Sequence, residues 1–182
     1  MRKMKPSSED FADELGPGYF NLVVRRLAQR MAAAGDTYMR QIGVATPATS
    51  TAILTYIARR DRVTIADIAQ ALGYTHQAVA KAVGGLERSG LVRSSATADD
   101  RRKRLLSLTR RGRQDADRIE AVAARAALVF SDVFDEIGVD VFKALRALET
   151  ALDRRPLAGR LAEQSETPGT SHLRPKRARV AG

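Results

Sequence analysis

The stretch from 64 to 109 constrains the fold of this chain more than any other part of it. Thr64 can cap a helix, because acidic Asp67 follows near the positive end of that helix. One apolar stripe then recurs at helical spacing, and it consists of Ile65, Ile68, Ala69 and Leu72. Gly73 can end this helix, and Thr75 can cap a second one after a very short turn. The pattern therefore predicts a helix-turn-helix.

The second helix of this pair has two distinct faces. Its apolar stripe consists of Val79, Ala82, Val83 and Leu86. The opposite face carries small and polar side chains, namely His76, Gln77, Ala80, Lys81 and Gly84. A buried stripe opposite a small, polar face is typical of a helix that docks in the major groove of DNA.

A basic hairpin is predicted directly after the second helix. Gly90 can end the helix, residues 91–95 can form a strand, and residues 104–108 can return as its partner. The turn between them carries Asp99, Asp100, Arg101, Arg102 and Lys103. A helix-turn-helix followed by a cationic hairpin is a winged helix. The predicted fold is therefore mainly α with a small β-hairpin wing. The helices on either side of this module are predicted to form a dimerisation region.

Several short motifs resemble those of the MarR (multiple-antibiotic-resistance regulator) transcription factors. They are G-L-V-R at 90–93, D-R-R at 100–102, S-L-T-x-x-G at 107–112, A-D-I-A-Q-A-L-G at 66–73 and L-E-R-S-G-L-V at 86–92. The resemblance covers about 18–162. It implies a DNA-binding homodimer whose first helix and last two helices form the dimer interface.

The side chains at the start of the second helix suit contacts with DNA. Gln77 can pair with adenine through two hydrogen bonds, and Lys81 can reach guanine or a phosphate. His76 can do either, whereas Ala80 can only touch a thymine methyl group. Thr75 lies beside backbone N–H groups at a helix N-terminus, which suit a phosphate.

The resemblance also assigns roles in the wing. Asp100 is expected to orient Arg102 into the minor groove, where a narrow groove attracts arginine. Arg101, Lys103 and Arg104 are expected to contact phosphates. The chain departs from the family at Gly84-Gly85, where polar or charged residues are usual. Two interior glycines cost about 1 kcal/mol each relative to alanine, so the helix is expected to fray there.

Charge and composition agree with a DNA-binding role. The net charge is +10, and residues 58–113 contain 13 Lys and Arg against 5 Asp and Glu. There are no cysteines, and no apolar run approaches the roughly 18 residues of a membrane span. The sequence also lacks a catalytic set, a phosphate-binding loop and a metal-ligand spacing. We therefore expect a cytoplasmic protein that is not an enzyme and has no metal or cofactor.

The flanking segments are predicted to be helical between two loose ends. Residues 1–17 form a flexible arm, 18–45 and 110–162 form dimerisation helices around the winged helix at 46–109, and 163–182 form a disordered basic tail. Gly35-Asp36 is expected to interrupt the first helix, and Thr46-Pro47 to start the next. Thr109 can cap a long helix that ends at Gly138, and Asp140 a last one that ends near Pro156. Their apolar surface exceeds what one small domain can cover, which predicts a partner subunit.

The resemblance implies regulation by a small molecule. Regulators of this family often release DNA when a small aromatic or phenolic anion binds between the dimer helices and the DNA-binding helices. The candidate lining residues here are Phe20, Val23, Tyr38, Ile42 and Ile53. The sequence thus predicts a transcriptional repressor of a palindromic operator. A constitutive or architectural DNA-binding protein without a ligand remains the alternative, and a protein-interaction module would not require the basic wing.

Overall fold

The computed structural model describes residues 11–96 and 104–166 of the 182. Its helices are α1 (Phe11–Leu15), α2 (Phe20–Gln41), α3 (Thr51–Arg60), α4 (Ile65–Leu72), α5 (His76–Arg88), α6 (Arg110–Ile137), α7 (Val141–Arg154) and α8 (Leu157–Glu166). Short 3-10 turns lie at Pro17–Tyr19 and Ala48–Ser50, and the strands are β1 (Val92–Ala96) and β2 (Arg104–Leu108). The chain divides into two compact units, residues 1–125 and 126–182. None of the helices described is long and apolar enough to cross a membrane.

Helices α4 and α5 form the predicted helix-turn-helix, with both predicted caps in place. The Asp67 N–H donates to Thr64 Oγ1 at 3.2 Å, and Asp67 Oδ2 accepts from the Thr64 N–H at 2.8 Å. Gly73 ends α4 with a φ of 66°, a left-handed conformation that glycine adopts without a steric cost. Thr75 Oγ1 then accepts from the Ala78 N–H at 3.2 Å and starts α5. These local interactions fix a tight turn between the two helices.

The wing is an antiparallel pair in which Val92 lies opposite Leu108 and Ala96 opposite Arg104. Val63 extends the sheet, because its N–H and C=O both bond to Leu106, at 3.2 and 2.7 Å. The strand β1 begins one residue later than predicted. The reason is that the Leu91 N–H donates to the Leu86 carbonyl at 2.9 Å and closes α5.

A single core joins the helices and the wing in the first unit. Its fully buried members include Ile53, Leu54, Ile57, Ile68, Val79, Leu86, Leu91 and Leu106. They come from α3, α4, α5 and the wing, so the apolar stripes predicted for these elements face one another. On α3 itself Ala52 is exposed, whereas Leu54 is fully buried.

The start of α6 is tied to the end of α5 through Thr109. Its hydroxyl donates to the Gly90 carbonyl at 2.7 Å, and the same oxygen accepts from the Gly112 N–H at 3.0 Å. The Thr109 N–H donates to the Leu91 carbonyl at 3.0 Å. Gly112 lies so close to the backbone just before β1 that a Cβ there would be 1.9 Å from the Leu91 oxygen. The S-L-T-x-x-G motif is therefore a junction at which the wing and α6 meet.

A buried carboxylate holds the connection between α2 and α3 against α6. Asp115 is 3% exposed, and its Oδ2 accepts from the Ala45 N–H at 3.0 Å. The same oxygen accepts from the N–H and the hydroxyl of Thr46, at 3.1 and 3.0 Å. The prediction that Thr46 caps a helix was therefore wrong, because its hydroxyl bonds to a residue 69 positions away.

The predicted interruption at Gly35-Asp36 was also wrong, since α2 runs through it without a break. Asp36 Oδ1 accepts from the Ala48 N–H at 2.6 Å and so starts the 3-10 turn that precedes α3. Gly35 allows this approach, because a Cβ there would lie 3.0 Å from the Ala48 Cβ. Gly35 and Asp36 therefore contact the 3-10 turn before α3, and they do not end α2.

Three further boundaries differ from the sequence predictions. Residues 11–15 of the arm form α1, whose Ala12 is buried. The helix α5 continues through Gly84-Gly85 to Arg88, because Val83 and Leu86 anchor it in the core on both sides. Residues 157–166 add α8, where Arg160 donates to the Ala151 and Arg155 carbonyls at 2.9 and 2.8 Å. The remainder of the predicted tail lies outside the described residues.

Both units leave apolar side chains exposed. Five of those in the first unit follow one side of α2, and these five are Phe20, Val23, Val24, Leu27 and Met31. In the second unit they lie on α6, α7 and α8, and they include Phe130, Val133, Ile137, Phe142, Leu145, Leu148, Leu157 and Leu161. The long helices therefore have more apolar surface than the single chain buries.

Candidate nucleic-acid interface

The outer face of α5 is the centre of the candidate site. His76, Gln77, Ala80 and Lys81 are all exposed, whereas Val79, Val83 and Leu86 of the same helix are buried. Residues four positions apart are neighbours on a helix surface, so His76 lies beside Ala80, and Gln77 beside Lys81. The core thus presents these four side chains to solvent together, as the sequence predicts.

The N-terminus of α5 offers two backbone donors next to these side chains. Thr75 Oγ1 satisfies the Ala78 N–H, and the Thr75 carbonyl satisfies the Val79 N–H at 3.1 Å. The N–H groups of His76 and Gln77 belong to the first turn, which has no intrahelical acceptors. Thr75 therefore orders a helix end of the kind that suits an anion, and its contact with a phosphate stays a prediction.

The base of the wing carries two arginines, each hydrogen-bonded across the hairpin. Arg93 Nε donates to the Ser107 hydroxyl at 3.2 Å across the hairpin. Arg104 donates to the Ser94 hydroxyl and lies 3.6 Å from a carboxylate oxygen of Glu87 on α5. Arg93 was not among the predicted site residues, although its place in the G-L-V-R motif could have indicated it. The predicted contacts of Asp100, Arg101, Arg102 and Lys103 lie outside the described residues.

A cavity of about 720 Å³ opens beside the same helix. It lies between α5 and the segment that starts α3, and it is lined by Pro47, Thr49, Ser50, Ile53, Tyr74, Ala78, Lys81, Ala82, Gly85, Leu86, Arg88 and Ser89. Two cations and no carboxylate belong to this lining. Lys81 belongs both to the cavity and to the outer face of α5, so the cavity and the candidate interface share a charged side chain.

The structure does not gather the five predicted ligand residues in this cavity. Ile53 lines it and is almost fully buried. Phe20, Val23 and Tyr38 are exposed along α2, and Ile42 is half-buried at the end of that helix. In the described part of the chain, no group of three acidic or histidine side chains is placed to hold a metal ion.

Comparison with known proteins agrees with this architecture. The sequence model of the MarR family matches residues 46–103, which contain the helix-turn-helix and the first strand of the wing. The chain therefore contains a region similar to the MarR family. This match spans α3, α4, α5 and β1, which are the elements that build the candidate interface.

Solved structures share the fold of this chain at low identity. The Staphylococcus aureus MepR–DNA complex is 20% identical, covering 71% of this chain and 97% of that one, with a TM-score of 0.57. The MarR family transcription regulator SP03579 is 21% identical, with coverages of 85% and 99% and a TM-score of 0.56. Streptococcus pneumoniae FabT in complex with DNA is 21% identical, with coverages of 75% and 97% and a TM-score of 0.53. No curated protein matches the chain in sequence.

Proposed function

We propose that this MarR-type chain is a sequence-specific, DNA-binding transcription regulator in the cytoplasm. The observation that carries the proposal is the outer face of α5, where His76, Gln77 and Lys81 are exposed beside a capped helix N-terminus. Such a helix end can enter the major groove and place its first side chains at base edges. The DNA complexes of MepR and FabT, which have the same fold, support this interpretation.

Selection from a randomised duplex library tests the proposal. Changing Gln77 to Ala should remove a base-edge contact, at a cost of about 1–3 kcal/mol at particular base pairs, and should flatten the preference there. Gln70→Ala is the matched control, because Gln70 is exposed on α4. If both variants kept the wild-type library profile, Gln77 would not read the sequence. If the wild-type protein selected no sequence, the proposed function would be wrong.

We propose that the regulator binds DNA as a homodimer. The exposed apolar side chains of α2, α6 and α7 support this, since a soluble monomer rarely leaves so many of them uncovered. Two copies would place their α5 helices about one DNA turn apart, so the operator should be a near-palindrome.

Sedimentation at micromolar concentration should therefore give about twice the chain mass of 19.8 kDa. Leu148→Asp should shift the protein towards the monomer, because it introduces an uncompensated charge into an apolar contact. Thr150→Asp introduces the same carboxylate on the opposite side of α7 and should leave the dimer intact. A folded wild-type monomer at this concentration would contradict the proposal.

We further propose that the regulator is a repressor that a small aromatic or phenolic anion releases from DNA. The cavity beside α5 supports this, because apolar residues such as Ile53 and Leu86 line it together with Lys81 and Arg88. A carboxylate bound there would form an ion pair with Lys81 and so compete with the DNA for the same side chain.

Salicylate can serve as the probe for this step. At millimolar concentration it should lower the affinity for the selected duplex, and in a reporter assay it should raise transcription from a promoter that carries this duplex. Unchanged DNA affinity across a panel of small aromatic acids would favour the alternative, a constitutive or architectural DNA-binding protein.

A further inference from the structure

The guanidinium group of Arg88 lies over the two glycines in the interior of α5. Its Nη1 atom is 3.5 Å from the point that a Cβ of Gly84 would occupy, and Nη2 is 3.9 Å from the corresponding point at Gly85. Any side chain longer than a methyl group at these positions would compete with the guanidinium for the same space. The glycine pair thus leaves room for the last residue of α5 to fold back along the helix.

Arg88 shares a face of α5 with the predicted DNA contacts. Gln77, Lys81, Gly84 and Arg88 are spaced by four, three and four residues, which places them in one stripe along the helix. Because an α-helix rises 1.5 Å per residue, the Arg88 guanidinium over Gly84 and Gly85 lies about 11–12 Å beyond Gln77 along the axis. The major groove is about 12 Å wide. When Gln77 is over base edges, Arg88 is therefore at the edge of the groove, where the phosphates lie.

The charge of Arg88 is available for such a contact. Its side chain is exposed, and within residues 11–96 and 104–166 no carboxylate forms an ion pair with it. The acidic residue next to it in sequence, Glu87, lies against Arg104 instead. Lys81 lines the same cavity as Arg88, so two cations lie close together without an acidic partner in the lining. This arrangement favours an anionic ligand.

We propose that Arg88, laid over Gly84-Gly85, contacts a phosphate of the DNA backbone. The inference rests on the proposed function, since it requires α5 to lie in the major groove. Because positions 84 and 85 are glycines, no side chain at these positions can reach the DNA backbone. Arg88, one helical turn further along α5, places its guanidinium group over these two glycines instead.

The salt dependence of binding tests this contact on a duplex selected from the randomised library. The logarithm of the affinity falls with the logarithm of salt concentration by about 0.9 per neutralised phosphate. Arg88→Ala should reduce that slope by about 0.9 for each arginine in contact, and thus by about 1.8 for a dimer. Arg88→Lys keeps the charge and should retain most of the slope. Arg59→Ala removes an equal charge from the exposed end of α3, where Arg59 pairs with Glu120, and should leave the slope unchanged.

Neutral methylphosphonate groups, placed one at a time along the duplex, separate a direct contact from a general effect of charge. The wild-type protein should lose affinity at one phosphate in each half-site, and Arg88→Ala should be insensitive to the same replacement. If Arg88→Ala kept both the salt slope and the methylphosphonate profile of the wild-type protein, this contact alone would be disproved. A wild-type protein that binds no duplex would overturn the proposed function together with it.

Discussion

Replacing Gly112 with Ala is expected to lower the free energy of unfolding by about 3 kcal/mol, at the upper end of the usual cost of overpacking. The new Cβ would lie 1.9 Å from the Leu91 oxygen and 2.9 Å from its carbonyl carbon. Both are backbone atoms, and neither can move without disturbing the Thr109 N–H bond to the same oxygen. The start of α6 would have to shift away from the wing.

Urea denaturation at a fixed protein concentration measures this effect, and Gly84→Ala is the matched control. Gly84 is also a glycine inside a helix, but a Cβ there would meet nothing closer than Arg88 Nη1 at 3.5 Å. An added methyl group at that position should therefore stabilise the helix by about 1 kcal/mol through helix propensity. Equal effects of the two substitutions would show that the close approach at Leu91 does not govern stability.

Replacing Asp115 with Ala is expected to cost about 3–5 kcal/mol, because it leaves three donors without their acceptor. They are the N–H groups of Ala45 and Thr46 and the Thr46 hydroxyl, all bonded to one carboxylate oxygen. An unsatisfied buried donor costs about 1–3 kcal/mol, and bonds to a charged acceptor are the stronger ones. The segment between α2 and α3 would lose its attachment to α6.

Graded substitutions at this cluster separate the loss of hydrogen bonds from the loss of packing. Asp115→Asn keeps a side chain of the same shape with one acceptor oxygen and should cost less than Asp115→Ala. Thr46→Val removes only the hydroxyl and should cost about 1 kcal/mol. In the double variant the two effects should not add, because the residues share a bond. Strict additivity of Thr46→Val and Asp115→Ala would contradict the proposed coupling.

Both sites join α6 to the helix-turn-helix, although they are far apart in sequence. Gly112 and Thr109 attach α6 to the end of α5 and the start of β1, and Asp115 attaches it to the segment before α3. In the proposed dimer α6 contributes apolar surface to the partner. A loosened junction should therefore weaken operator binding even where the outer face of α5 is unchanged.

The sequence by itself determined the helix-turn-helix and the outer face of α5. Thr64, Gly73 and Thr75 act through bonds or backbone conformations within four residues, so their roles can be predicted from spacing alone. The apolar stripes of α4 and α5 are equally local patterns, and they identify which side chains remain exposed. The exposure of His76, Gln77, Ala80 and Lys81 follows from them.

Only the tertiary structure decided the roles of residues whose partners are distant in sequence. Asp36, Thr46 and Asp115 resemble helix-breaking or capping residues, yet their partners lie 12 to 70 positions away. Gly84 and Gly85 predict a frayed helix, but core packing by Val83 and Leu86 outweighs their weak propensity. Propensity amounts to about 1 kcal/mol per residue, whereas burying a large apolar side chain contributes about 1.5–3 kcal/mol, so packing decides where the two disagree.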